Sequence, residues 1–82
     1  MYKFYVMEIQ KSDDTHFAYL VHEASDEDRA VAQMKAESKY HQVLAAAAIS
    51  SLPEHSAVLI SSDGECLMSK YYLHAQEEQS EE

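Results

Sequence analysis

SDEDRAVAQMKAESKYHQVLAAAAISS, residues 25–51, is the stretch long enough and periodic enough in apolar residues to cover a sheet. Ser25 at its head offers a hydroxyl to a free first-turn N–H. Asp26, Glu27 and Asp28 lie where the positive end of a helix dipole favours carboxylates. At about 100° per residue, Ala30, Val31, Met34, Ser38, His41, Ala45, Ala48, Ile49 and Leu52 fall on one arc, taken as the inner face. Ala45–Ala48 is a strong helix-forming run, and Pro53 stops it, because the residue before a proline is pushed out of helical geometry. About 26 residues would make a rod of roughly 39 Å, longer than a seven-residue strand at roughly 23 Å. The end between Gln42 and Leu52 is therefore expected to fray, bend or overhang.

The rest of the chain supplies strands. Tyr2–Gln10 alternates, with Phe4 and Val6 on one side and Tyr5, Met7 and Ile9 on the other. Lys11-Ser12-Asp13-Asp14 is a polar turn, and Thr15–Glu23 reads as the returning strand. In that strand Phe17, Tyr19 and Val21 share one face, and His16, Ala18, Leu20 and His22 the other. After the helix, Pro53-Glu54-His55 reads as a linker and Ala57–Ser61 as a short buried strand. Asp63-Gly64 marks a tight hairpin, because a primed turn needs positive φ and glycine takes it without steric cost. Cys66–Leu73 is the last strand, and 75–82 reads as a disordered acidic tail. The expectation is an α+β domain over residues 1–74: two-layer ββαββ, two hairpins in a four-stranded antiparallel sheet under one long helix. Connection directions allow strand order 2-1-3-4 or 1-2-4-3. The first is preferred because it centres Phe4–Met7 and Val58–Ile60.

Composition narrows the function classes. Fifteen acids against six bases give a net charge of −9, of which Glu77, Glu78, Glu81 and Glu82 in the tail supply four. Lys3, Lys11, Arg29, Lys35, Lys39 and Lys70 are scattered, so neither nucleic acid nor an anionic membrane is an expected direct partner. Cys66 is the single cysteine, so no internal disulfide forms, and a lone thiol suits a reducing compartment. The opening residues have no basic head before an apolar run, and no stretch is long enough to span a bilayer. A soluble cytoplasmic protein is expected.

No constellation points to chemistry. His16 and His22 are separated by roughly 20 Å of strand, and no HxxxH, CxxC or Cys/His cluster accompanies His41, His55 or His74. Cys66 follows Asp63 and Glu65, whose charges oppose thiolate formation. Gly64 alone makes no phosphate-cradling loop. No catalytic, cofactor-binding or metal residues are assigned.

The Tyr/Phe-rich opening strand Tyr2–Met7, the acidic helix entry Asp26–Ala30, the Asp63-Gly64 hairpin and the acidic end together resemble a group of small bacterial and prophage-type ββαββ proteins of about 80 residues. The Ala45–Ala48 extension and the lack of tryptophan after the last strand depart from that pattern. The group has no assigned activity, so the resemblance implies the fold and an accessory, non-catalytic role, and transfers no functional residue.

One imbalance bears on function. A two-layer fold hides one sheet face, yet both strand faces here carry large apolar groups among Phe4, Tyr5, Met7, Tyr19, Leu20, Met68, Tyr71 and Tyr72. The surplus points to a contact with another protein or a second copy of this chain, through the exposed sheet face or an edge. Tyr5, Met7, Tyr19, Tyr71 and Tyr72 are the candidate contact residues. The alternative reading is an acidic mimic of nucleic acid occupying a basic site on a partner protein.

Overall fold

A computed structural model of the chain describes residues 1–12 and 15–74. Asp13 and Asp14 of the expected turn, and the expected tail at 75–82, lie outside the described residues. Strands β1 (Tyr2–Ser12) and β2 (Thr15–Asp26) precede helix α1 (Arg29–Ala48), and β3 (Glu54–Ser61) and β4 (Cys66–Leu73) follow it. All neighbours pair antiparallel in the order β2-β1-β3-β4, with α1 packed on one face. The chain has the α+β, ββαββ architecture expected of it, in the preferred strand order. Phe4, Val6, Ala57 and Leu59, on the two central strands, are buried under the helix.

The helix differs from its expected form in start and phase, while its end falls within the expected Gln42–Leu52 span. Its N-cap is Asp28, not Ser25: the Asp28 carboxylate accepts from the N–H groups of Ala30 (2.8 Å) and Val31 (3.4 Å). Ser25 instead belongs to β2, which runs on to Asp26. The Asp26 carboxylate accepts from the Asp28 N–H at 2.9 Å and from Lys35 Nζ at 3.1 Å, and these bonds hold its pKa below the ordinary aspartate value. The helix ends at Ala48, several residues before Pro53, with the N–H of its cap Ile49 turned back to Ala46 O at 3.3 Å.

Its buried residues are Ala32, Ala36, Tyr40, Val43 and Ala47. The arc expected to face inward points out: Met34 is 65% exposed, Ile49 87%, and His41 is exposed. Alanines on both sides of the helix left the phase ambiguous in the sequence. Alanines at 32, 36 and 47 let the helix axis approach the sheet closely, and Tyr40 and Val43 fill the space between them. Burial of the Tyr40 phenol, with Cys66 and Tyr72 nearby, raises its pKa above the ordinary tyrosine value.

Two strands break their expected alternation. Val6 faces His22 while Met7 faces Leu20, so Val21 is an extra residue in β2 and His22 turns to the helix side. In β4, Met68 pairs with Leu59 and Cys66 with Ile60, which leaves Leu67 extra. His55 lies within β3, not in a linker, since that strand begins at Glu54. The β3–β4 connection is longer than a two-residue primed turn. The Gly64 N–H donates to Ser61 O at 2.9 Å, so Ser62 and Asp63 hold the central turn positions and Gly64, at φ 91°, follows them.

Candidate protein-interaction surface

The helix crosses the sheet on a diagonal. It starts just after β2, with the Arg29 guanidinium 5.7 Å from the centre of the Phe4 ring, and ends where His74 Nε2–H donates to Ala47 O at 2.8 Å. The described residues leave two regions uncovered: the far side of the sheet, and the helix-side corner at the start of β2.

The strand registers define the far side. Across β2-β1-β3-β4, one row reads Glu23, Tyr5, Ile60, Cys66 and the next Leu20, Met7, Val58, Ser69. The following rows are Ala18, Ile9, Ser56, Tyr71 and then His16, Lys11, Glu54, Leu73. Its two central columns are apolar from Tyr5 to Ile9 and from Ile60 to Val58. Leu20 (57% exposed), Tyr71 (60%) and Leu73 (65%) extend them toward the edges. Charges confine themselves to the ends, where Glu23 pairs with Lys3 at 3.5 Å and His16 Nε2 lies 4.0 Å from Glu54. A shallow groove runs over Ile9, Ser56, Val58, Ser69 and Tyr71. An apolar centre with a polar rim is the pattern of a protein contact.

Of the residues expected to touch a partner, Tyr5, Met7 and Tyr71 share this face. Tyr19 and Tyr72 lie on the helix side at opposite edges of the sheet. Tyr19 stacks on Phe17 (centroids 6.4 Å apart, planes at 12°), whereas Tyr72 is half-buried with Lys70 Nζ 5.3 Å from its ring centre. Ile9, Val58, Ile60, Leu20 and Leu73 belong to the face as well. The two-residue strand period carried that information for Ile9 and Leu73, which share strand and parity with Tyr5 and Tyr71, whereas Leu20, Val58 and Ile60 needed the strand register.

Sequence reasoning did not foresee the pairing of His55 with Glu8. His55 is buried on the helix side, and its Nε2–H donates to the Glu8 carboxylate diagonally across β1 and β3. Its Nδ1 finds no hydrogen-bond partner among the described residues. The other histidines are dispersed: His41 packs edge-on against Tyr40, 5.4 Å between centroids, and His16 and His74 lie at opposite edges. Among the described residues no group of three His, Cys, Asp or Glu side chains converges on a point where a metal ion would sit. Cys66 is exposed at the start of β4, its Sγ 3.7 Å from Met68 O. No described helix is long and apolar enough to cross a membrane.

Comparison of the chain with protein-family models, with curated proteins and with solved structures finds no match, so the reading rests on the geometry.

Proposed function

We propose that this chain is a small non-catalytic interaction or accessory domain that binds another protein through the uncovered face of its sheet, in the cytoplasm. One observation carries the reading. The helix is spent on one face, and the other presents Tyr5, Met7, Ile9, Val58 and Ile60 as a continuous apolar strip flanked by exposed Leu20, Tyr71 and Leu73. The complementary partner is a protein with an apolar patch, its best-placed side chain seated in the groove beside Tyr71.

The described acids do not favour the nucleic-acid-mimic reading. Glu8 pairs with His55, Glu23 with Lys3 and Asp26 with Lys35; Asp28 caps the helix, and Glu37 accepts from Gln33 Nε2 at 2.9 Å. A mimic needs free carboxylates in ordered rows; these five have local duties, Glu54 lies near His16, and exposed Glu27, Asp63 and Glu65 are split between the helix entry and the β3–β4 turn.

The test is co-purification from the native host, using the intact chain and a Tyr71→Lys/Leu73→Lys variant as parallel baits. Both replaced side chains are exposed, so the fold should persist by circular dichroism. A protein retained by the first bait and lost by the second is the expected result. Identical retention by both would overturn the open-face reading.

A further inference from the structure

We propose that the free edge of β2 is a self-association site, at which two copies pair His16–Leu20 antiparallel about a two-fold axis into one eight-stranded sheet. The inference goes beyond the open-face reading above: it assigns a second contact, a strand edge, and a second copy of the chain as its occupant.

Among the described residues β2 has one sheet neighbour, β1, so its outer N–H and C=O groups have no ladder partner. Edge strands in stable monomers are ordinarily guarded by Lys, Pro, inward charges or bulges, and the β2 bulge at Val21 lies beyond the pairing segment. The β4 edge carries Lys70 in mid-strand, whereas Thr15-His16-Phe17-Ala18-Tyr19-Leu20-Val21-His22 contains no Lys, Arg, Asp, Glu or Pro. All six residues from Thr15 to Leu20 are exposed. On a chain of net charge −9 this edge is a neutral strip. A basic partner would gain little there, while a second copy of the strip meets no charge of its own sign.

Geometry favours the same occupant. Antiparallel strands of one sheet are related by two-fold axes normal to it, so any edge strand is complementary to itself and the pair closes without growing. With Ala18 on the axis, Phe17 of each copy lies opposite Tyr19 of the other. These rings already stack at 6.4 Å in the corner that the diagonal helix leaves bare. Each copy's uncovered corner then covers its counterpart, both helices lie on one side, and the open faces join into one surface. One strand edge is a small contact, below the roughly 1,200–2,000 Å² of stable interfaces. The dimer is therefore an equilibrium that concentration shifts.

Sedimentation of the intact chain over a hundredfold range reaching about 1 mM tests it. The expected mass rises from 9.3 kDa toward twice that value. Raising the salt should strengthen association, because it screens repulsion between two acidic bodies. A Phe17→Lys/Tyr19→Lys variant should associate at least tenfold more weakly. In a Cys66→Ser background, Ala18→Cys should cross-link under mild oxidation, because facing Cα atoms at about 4.5–5.5 Å suit a disulfide. A monomer at every concentration, or assemblies growing past the dimer, would overturn the proposal. So would an Ala18→Cys dimer that forms no cross-link. A dimer indifferent to Phe17→Lys/Tyr19→Lys but dispersed by Tyr71→Lys/Leu73→Lys would overturn the edge contact and leave the open-face reading standing.

Discussion

The phase of α1 gives the sharpest test of the packing, because two positions one half-turn apart carry opposite expectations. Ala36 is 0% exposed against the sheet, and Met34 is 65% exposed. Ala36→Met adds Cγ, Sδ and Cε where the helix already touches β-sheet side chains. Overpacking of that kind costs about 1–3 kcal/mol. Met34→Ala removes a side chain whose burial is about a third complete. That forfeits somewhat under 1 kcal/mol of transfer energy, offset by a few tenths from the better helix propensity of alanine. The net effect should be within about 0.5 kcal/mol of zero. Urea unfolding followed by circular dichroism reads both. With a slope of about 1 kcal/mol/M, Ala36→Met should lower the midpoint by about 1–3 M, and Met34→Ala should move it by less than about 0.5 M. A loss of about 2–5 kcal/mol for Met34→Ala, with Ala36→Met tolerated, is the signature of a helix turned the other way, and would refute the packing described.

Three further outcomes follow from the interior and the turn. Glu8→Leu should cost about 1–3 kcal/mol, because it strands a buried His55 Nε2–H, and adding His55→Leu should restore much of that loss; equal costs for the single and double variants in urea titrations would refute the coupling. Burial favours the neutral Tyr40 phenol, so its contribution should be complete below pH 10 and should fall as pH rises through 10 toward the raised folded-state value. Stability measured from pH 8 to 12 should thus decline less steeply in Tyr40→Phe, and an unchanged slope would contradict the assignment. Gly64→Ala meets no neighbouring atom, yet φ of 91° should make it cost about 1–2 kcal/mol in the same titrations; a neutral result would mean that the turn relaxes freely.

The strands were legible because alternation survives in short segments: Tyr5, Met7 and Ile9 against Phe4 and Val6 gave the faces of β1 correctly, and Cys66–Leu73 emerged with its observed limits. Strand order was legible too, since antiparallel connections left two choices and the preference for Phe4–Met7 and Val58–Ile60 in the centre separated them. The helix phase was not. Alanines occur on both sides of the helix, at 30, 45 and 48 outside as well as at 32, 36 and 47 inside, so apolar periodicity does not single out the inner face. Capping was misplaced by three residues because Ser25, Asp26 and Asp28 are all good caps. Only the continuation of β2 to Asp26 selects the last. The bulges at Val21 and Leu67 depend on how neighbouring strands twist, which a single strand's pattern does not contain. The Glu8–His55 pair joins residues 47 positions apart and needed the register. For the contact surface, the surplus of apolar strand residues was visible at once. Its division between a far face and the bare β2 corner depended on the diagonal course of the helix.

Residue-resolved carbene footprinting of the dilute protein tests most directly whether one sheet face is shielded and the other open. Leu20, Tyr71 and Leu73 should label strongly while Val6, Ala57 and Leu59 stay unlabelled, and labelling of the first group should fall once a partner is bound. Equal protection of both sets in the dilute protein would contradict the account.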